Sequence, residues 1–230
     1  CGVTDLRNID NIFSLMEEIG MPLLIHGEVS DNKIDIFDRE ATFIEKYLKP
    51  LMQNHPNLRI VLEHITTIQA IEFVEKNGPN IAATITPHHL HINRNDMFRG
   101  GLRSDFYCLP VAKREKHRMA LRKAVTSGKP CFFLGTDSAP HPRHLKESSC
   151  SCAGIFNAPF AIESYAEVFD DEGALEKLES RIPTEDPTSH TGWAAQSAGS
   201  VQVPAACFQR DAERGMVPEL RLRRGRVRGF

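Results

Sequence analysis

Apolar and polar positions along the chain follow two recurring patterns up to about residue 177 and neither pattern afterwards. Continuous apolar runs stand at "PLLIHGE" (22–28), "LRIVLEHI" (58–65), "NIAATIT" (80–86) and "PCFFLGTD" (130–137). Runs that stay apolar without alternating belong to strands covered on both faces, as parallel strands under helices are. Between them, apolar residues recur at the helical period in "NIDNIFSLMEEIG" (8–20), "DREATFIEKYLKPL" (38–51), "TIQAIEFVEKNG" (67–78), "KREKHRMALRKAVTSG" (113–128) and "APFAIESYAEVFDD" (158–171). Asn8 is the expected cap of the first helix, and Gly20 and Gly78 are expected stops. A long polar loop is expected between the third strand and the helix at 113, and another from 138 to about 156.

Strands and helices alternating in this way predict an α/β fold with a parallel sheet. Two layouts compete: a doubly wound open sheet and part of a (β/α)8 barrel. No glycine-rich phosphate loop opens any of the helices, which weakens the nucleotide-binding doubly wound reading. A whole barrel needs eight strands and about 250 residues, and four strands are used up by residue 137. The expectation is a partial (β/α)8 barrel of about the C-terminal four strands, spanning residues 1–177.

Beyond residue 177 the chain changes character. Residues 178–230 hold eight Arg, no Lys and six acids, against twenty basic and 24 acidic residues before them. "SRIPTEDPTSHTGWAAQSAGSVQVP" has the composition of loop or disorder. The closing "RLRRGRVRGF" reads as a solvated basic tail rather than a nucleic-acid patch, because no aromatic residues are interleaved with the arginines. Residues 178–230 are therefore set apart as an atypical, Arg-rich, disordered tail.

Composition adjusts this picture only a little. The 230 residues are 41% hydrophobic and 25% charged, with a net charge of −2, an ordinary globular balance that offers no electrostatic argument for nucleic acid or an anionic membrane. A small-molecule site is the default expectation. The apolar runs are far shorter than the roughly 20 residues that span a bilayer, and "CGVTDLRNID" has no signal-peptide pattern. The absence of an initiator Met leads us to expect a start inside a longer protein. Six scattered cysteines fit a reducing cytosol, and the lone Cys150-x-Cys152 lacks the second pair of a zinc finger.

Three of the four strands end on a residue that can bind metal: His26, His64 and Asp137. The C-terminal ends of parallel strands lie on one face, so the three should converge there. Two imidazoles and a carboxylate suit zinc and leave coordination positions open. Taken singly, each has a plainer role, as a hydrogen-bonded structural His or a helix-capping Asp. His88, His89 and His91 in "TPHHLHINRND" are not added, because neighbours so close along a loop point apart; solvated or supporting roles suit them better. Glu28 is a candidate partner behind His26, or simply a surface charge.

Together, "GMPLLIHGE", "VLEHITT", "AATITPHHL", "YCLP", "FLGTDSAPH" and "KESSCSCAG" resemble the bacterial and plant type of dihydroorotase, a zinc amidohydrolase of pyrimidine biosynthesis, from about residue 2 to about 177. The resemblance implies that His26, His64 and Asp137 are metal ligands and that Asp137 is the catalytic base and acid. It further implies that Leu109, His141 and Ala153 bind substrate, the first and last through the backbone. The reaction it implies is reversible hydrolysis of (S)-dihydroorotate to N-carbamoyl-L-aspartate, with Zn2+ as cofactor, two ions per subunit in the family. A small-molecule partner is implied, with neither nucleic acid nor membrane, together with a possible homodimer and a cytoplasmic location, organellar in a plant.

Family members also carry a His-x-His pair with a following Arg, a carboxylated lysine bridging two metals, and a substrate-binding Asn. None has a counterpart here, so at most a partial site and an inactive fragment are expected of these residues alone. A hydantoinase-like amidohydrolase is the alternative enzyme, and a non-catalytic barrel remnant the alternative outside enzymology. The Arg-rich tail is expected to stem from a shifted reading frame or gene boundary.

Overall fold

The computed structural model describes residues 6–182. Four strands, β1 (Leu23–His26), β2 (Ile60–Glu63), β3 (Ile81–Ile85) and β4 (Phe132–Leu134), form one sheet in the order β1-β2-β3-β4. All three pairings are parallel, with Leu24 opposite Val61, Val61 opposite Ala82 and Thr84 opposite Phe133. Each connection carries helix: α1 (Asp10–Glu18) before β1, α2 (Arg39–Phe43) and α3 (Lys49–Asn54) before β2, and α4 (Ile68–Asn77) before β3. α5 (Pro87–His91) and α6 (Glu115–Thr126) precede β4, and α7 (Arg143–Lys146) and α8 (Ala161–Asp171) follow it. Sequential parallel strands joined by helices are the βαβ arrangement expected from the alternating pattern.

Strand side chains alternate between two layers. Ile60, Leu62, Ile81, Ala83, Ile85, Phe132 and Leu134 join the large core under the helices, with Phe13, Leu48, Val74, Val125, Tyr165 and Phe169. The opposite face holds a small cluster of Val61, Ala82 and Phe133 with Leu24 against it, one residue from each strand, as layers inside a barrel are built. Continuing the alternation, His26 and Glu63 lie on this second face one step closer to the C-terminal ends, opposite one another in register.

Several local expectations are corrected. β1 is only half buried and His26 exposed, because among the described residues β1 pairs with β2 alone. Asn8 does not cap α1; a 3-10 turn over Leu6–Ile9 leads in, and Ile9 occupies the cap position. The helix expected over 38–51 is interrupted by a π-helical stretch, Ile44–Leu48. Part of the polar loop after β3 is helical: α5 is capped by the Thr86 hydroxyl, which accepts from His89 N, and has Pro87 in its first turn, a favourable place for proline. α4 starts on Thr67 in the same way, and Gly20, at φ +67°, follows α1 in the left-handed conformation that ends helices.

Packing continues to the last described residues. Leu178 and Ile182 lie against the core, and buried Arg181 donates to the carbonyl of Lys129 at 2.6 Å. The remainder of the stretch set apart as an Arg-rich tail lies outside the described residues, as do Cys1 and Cys207. Among the described residues no helix is long and apolar enough to cross a membrane.

Candidate functional site

The strand ends come together as their topology requires. His26 Nδ1 and His64 Nε2 face each other at 3.3 Å, with ring centroids 4.8 Å apart and planes inclined by 65°. Two nitrogens bound to one tetrahedral zinc at about 2.0–2.1 Å would themselves be about 3.3–3.4 Å apart. The outer nitrogen of His26, Nε2, meets Glu28 Oε2 at 3.2 Å, and the Glu28 side chain is 5% exposed. Glu28 is thus an enclosed partner of His26 and not a free surface charge. Its second oxygen and His64 Nδ1 are buried with no partner among the described residues.

His64 and Asp137 share a backbone feature absent from the other described non-glycine residues: positive φ, +42° and +43°. Such conformations cost about 1–3 kcal/mol and persist where surrounding contacts hold them, often at functional sites. At His64 the main-chain N–H donates to Thr84 Oγ1 at 2.6 Å and Ile65 N donates to the Thr84 carbonyl at 3.0 Å. Just beyond, the buried Glu40 carboxylate accepts from the N–H and hydroxyl of both Thr66 and Thr67. At Asp137 the flanking residues Thr136 and Ser138 are held by hydrogen bonds from Asn157.

Electrostatics suit a cation. Glu28 meets His26, and Glu63 and Asp137 lie near enough to feel its charge, but among the described residues the Asp137 carboxylate does not join His26 and His64 in a group with ligand atoms within 4.8 Å of one another. Burial lowers the His64 pKa to about 3, reinforced by His26 and His89, so the ring is neutral and free to ligate near pH 7. Asp137 keeps solvent access, yet the protein crowding it raises its carboxyl to about 6, with His26 opposing the rise and Glu63 adding to it. Burial likewise raises Glu63, against the pull of His26. Glu63 went unnoticed in the sequence, although its place two residues after Val61 assigns it to the face of the site.

The loops after β3 and β4 meet beside this cluster. His141 Nε2 donates to the Ala153 carbonyl at 2.9 Å, and Gly154 N donates to the Tyr107 carbonyl at 3.0 Å, two residues before Leu109. Lys146, 4% exposed, donates to the carbonyls of Tyr107, Cys152 and Gly154, each at 2.9 Å. One buried ammonium therefore joins the segments that carry Leu109 and Ala153. Gly154 adopts φ +146°, and a Cβ there would lie 2.7 Å from Ala139 Cβ and 2.9 Å from His141 Nε2. Lys146 was missed because, in a polar loop, it reads as solvated.

His88 and His89 are wholly buried and so are not solvated loop residues. With Cys108 they form a group whose ligand atoms lie within 4.8 Å of one another. Both His89 nitrogens are engaged, by Thr86 Oγ1 at 2.7 Å and the Pro110 carbonyl at 2.9 Å. The Cys108 thiol donates to the same carbonyl at 3.3 Å and is pushed by burial up to about 12. These are the marks of a structural hydrogen-bond cluster, not a metal centre. His91 donates to the Ser164 carbonyl at 3.0 Å. Cys150 and Cys152 are free thiols.

The profile of the amidohydrolase family matches residues 4–203. The chain belongs to the amidohydrolase family. It is 70% identical over 179 residues to a dihydroorotase of Synechococcus sp. (strain CC9605), a match covering 78% of this chain and 51% of that one. It is 57% identical over 187 residues to a dihydroorotase of Hahella chejuensis, covering 81% and 54%. This amidohydrolase chain thus spans about half the length of the curated relatives it matches. Its fold superposes on a Saccharomyces cerevisiae dihydroorotase in complex with 5-fluoroorotic acid with a TM-score of 0.75 and 37% identity, covering 85% of this chain and 56% of that one. An L-hydantoinase (dihydropyrimidinase) of Arthrobacter aurescens gives 0.68 at 17% identity over 83% and 48%, which shows the shared amidohydrolase fold alone. The amidohydrolase family is metal-dependent, and the cluster around His26 and His64 has the donor set for it.

Proposed function

We propose that this chain is part of a dihydroorotase, opening (S)-dihydroorotate to N-carbamoyl-L-aspartate and, in pyrimidine biosynthesis, running in reverse. The observation that carries the proposal is the facing pair of His26 Nδ1 and His64 Nε2, 3.3 Å apart, in a chain 70% identical to a dihydroorotase. The hydantoinase alternative draws on a shared fold only.

In this reading His26, His64 and Asp137 would hold Zn2+, with Glu28 orienting His26. The metal would polarise the carbonyl under attack and make hydroxide available near neutral pH. Asp137 takes the proton of the attacking water as oxygen adds to the ring amide, then returns it to the leaving ring nitrogen. A carboxyl raised to about 6 suits that exchange. The Leu109 backbone contacts the substrate ring, while His141 and the Ala153 backbone hold the substrate carboxylate, and the Lys146 ammonium adds positive field behind that turn. A small-molecule partner follows from this chemistry, while a cytoplasmic setting, organellar in a plant, and a homodimer are carried only by the resemblance to dihydroorotases. The family's His-x-His pair and carboxylated lysine have no counterpart in these residues, so the chain by itself is expected to bind metal without turning over substrate.

Calorimetry with zinc tests the ligand set. The 230-residue chain should take up about one ion, and His64→Ala or Asp137→Ala should weaken uptake at least about tenfold. Unchanged zinc affinity in both variants would remove the proposal. Dihydroorotate hydrolysis should appear only when a segment carrying the His-x-His pair and lysine is joined upstream, and turnover by the chain alone would contradict the incomplete-site reading.

A further inference from the structure

Asp137 occupies left-handed backbone at φ +43°, and the chain on either side of it is fastened to a single residue, Asn157. Its Nδ2 donates to the carbonyl of Thr136 at 3.0 Å, and its main-chain N–H donates to Ser138 Oγ at 3.1 Å. Ser138 Oγ also accepts from Ala158 N at 3.0 Å, and Ala139 N donates to the Ile155 carbonyl at 3.0 Å. The second hydrogen of Asn157 Nδ2 points to His88 Nδ1, 2.8 Å away.

These contacts fix the orientation of the amide. A flipped Asn157 would set its oxygen against the Thr136 carbonyl oxygen, so the nitrogen must face both partners. His88 Nδ1 is then the acceptor, and its proton resides on Nε2. His88 is 0% exposed and Asn157 4% exposed, so water does not compete for these groups. An apolar side chain would fill the place of His88 with less desolvation cost, but it could not accept the second N–H of Asn157. The pair also spans the sheet: His88 is delivered by α5 from the end of β3, and the turn it steadies follows β4.

We propose that His88 and Asn157 are positioning residues of the strand-end site, His88 orienting the Asn157 amide and Asn157 holding the Thr136–Ser138 turn so that the Asp137 carboxylate is presented to the site. The functional half of this statement rests on the dihydroorotase reading above. The clamp itself does not, and the two are tested separately.

Amide hydrogen exchange on the metal-free 230-residue chain reads the clamp through Ala139, Asn157 and Ala158, whose N–H groups are bonded across the turn. His88→Leu and Asn157→Ala should each speed exchange at these amides by about tenfold or more, leaving Val61 and Leu62 in β2 within about twofold. His88→Asn, which restores an acceptor near the position of Nδ1, should stay within about threefold of the parent at the same amides. Zinc calorimetry then reads the consequence for Asp137, with affinity falling about tenfold or more in His88→Leu and Asn157→Ala but not in His88→Asn.

Unchanged turn exchange in His88→Leu overturns the proposal, as does equal acceleration in β2, or a His88→Asn variant as disturbed as His88→Leu. Should His88→Leu not fold, Asn157→Ala against the parent decides alone. A parent chain that takes up no zinc would defeat the claim that these residues alone form a metal site, while the exchange result would still decide the clamp.

Discussion

Glu40 shows how much of the site depends on residues that touch no ligand. Its carboxylate, 1% exposed, accepts from Thr66 N at 2.8 Å, Thr66 Oγ1 at 2.6 Å, Thr67 N at 2.9 Å and Thr67 Oγ1 at 2.5 Å. Four donors converge on one buried group two and three residues after His64, and those residues lead into α4. Hydrogen bonds to a charged group contribute about 1.5–3 kcal/mol each, and a buried donor left alone costs about 1–3 kcal/mol. These terms do not add fully, so Glu40→Ala is expected to lower the unfolding free energy by about 3 kcal/mol or more, measured by urea denaturation. Glu40→Gln, which keeps one acceptor oxygen, should lose less than half of that. A loss under about 1 kcal/mol for the alanine variant would show that water or rearranged donors replace the carboxylate. In the sequence Glu40 is one acid on an amphipathic helix, and nothing in the local pattern separates it from a solvated charge. His26, His64 and Asp137 could be singled out because each terminates an apolar run, a positional signal that Glu40, Lys146 and Asn157 lack.

Among the elements, β4 and the turn that follows it are the most constrained. Gly135 packs so closely on β3 that a Cβ would lie 2.9 Å from Thr84 Cβ and 3.0 Å from its Cγ2. Thr84 cannot retreat freely, because its hydroxyl accepts the His64 N–H. Gly135→Ala should therefore cost about 1–3 kcal/mol as overpacking, and it should weaken zinc uptake as well, since the displaced Thr84 carries His64 with it. A variant with parent stability in thermal melts and parent zinc affinity would mean that β3 and β4 separate more easily than their packing suggests. The Tyr165 hydroxyl fastens the same ends from α8, donating to the carbonyl of Ile85 at 2.8 Å and reaching that of Gly135 at 3.1 Å. All four strands were legible as apolar runs; burial on both faces dictates that composition in β2, β3 and β4, whereas β1 carries it although it is only half buried here. α5 was not, since "PHHLH" has no apolar period; it is helical because Thr86 caps it, Pro87 suits its first turn, and its imidazoles find partners only in the folded protein. The π-helical stretch within 38–51 was equally invisible, as its amphipathic spacing is that of an ordinary helix.

For the molecule as a whole, the strand count foretold a half-barrel and the alternating pattern foretold its topology, but the number of neutral histidines it encloses is a tertiary property. His64 and His88 are lowered to about 3, and burial holds His89 well below the usual imidazole range. A histidine whose folded pKa lies below its unfolded value of about 6.5 binds its proton only on unfolding, and each such group steepens the fall in stability by about 1.4 kcal/mol per pH unit. The contribution is complete above about pH 6.5 and is lost as pH drops towards the folded values. Asp137, raised to about 6, works in the opposite sense over the same window, because the folded form then holds its proton more readily than the unfolded one. The three histidines outnumber it, and the half-buried Glu63, also raised, removes part of the remainder. The metal-free chain is therefore expected to show little change in unfolding free energy from pH 7 to 8 and a decline below about 6.5, with a net uptake of at least about one proton on unfolding near pH 5. Urea titrations across this range measure the slope directly. His88→Leu should reduce it by about one proton's worth whatever its effect on absolute stability, since the leucine has nothing to protonate. A flat profile between pH 7 and 5 in the parent would mean that the buried imidazoles are charged in the fold, which would in turn remove the neutral His64 that metal binding requires.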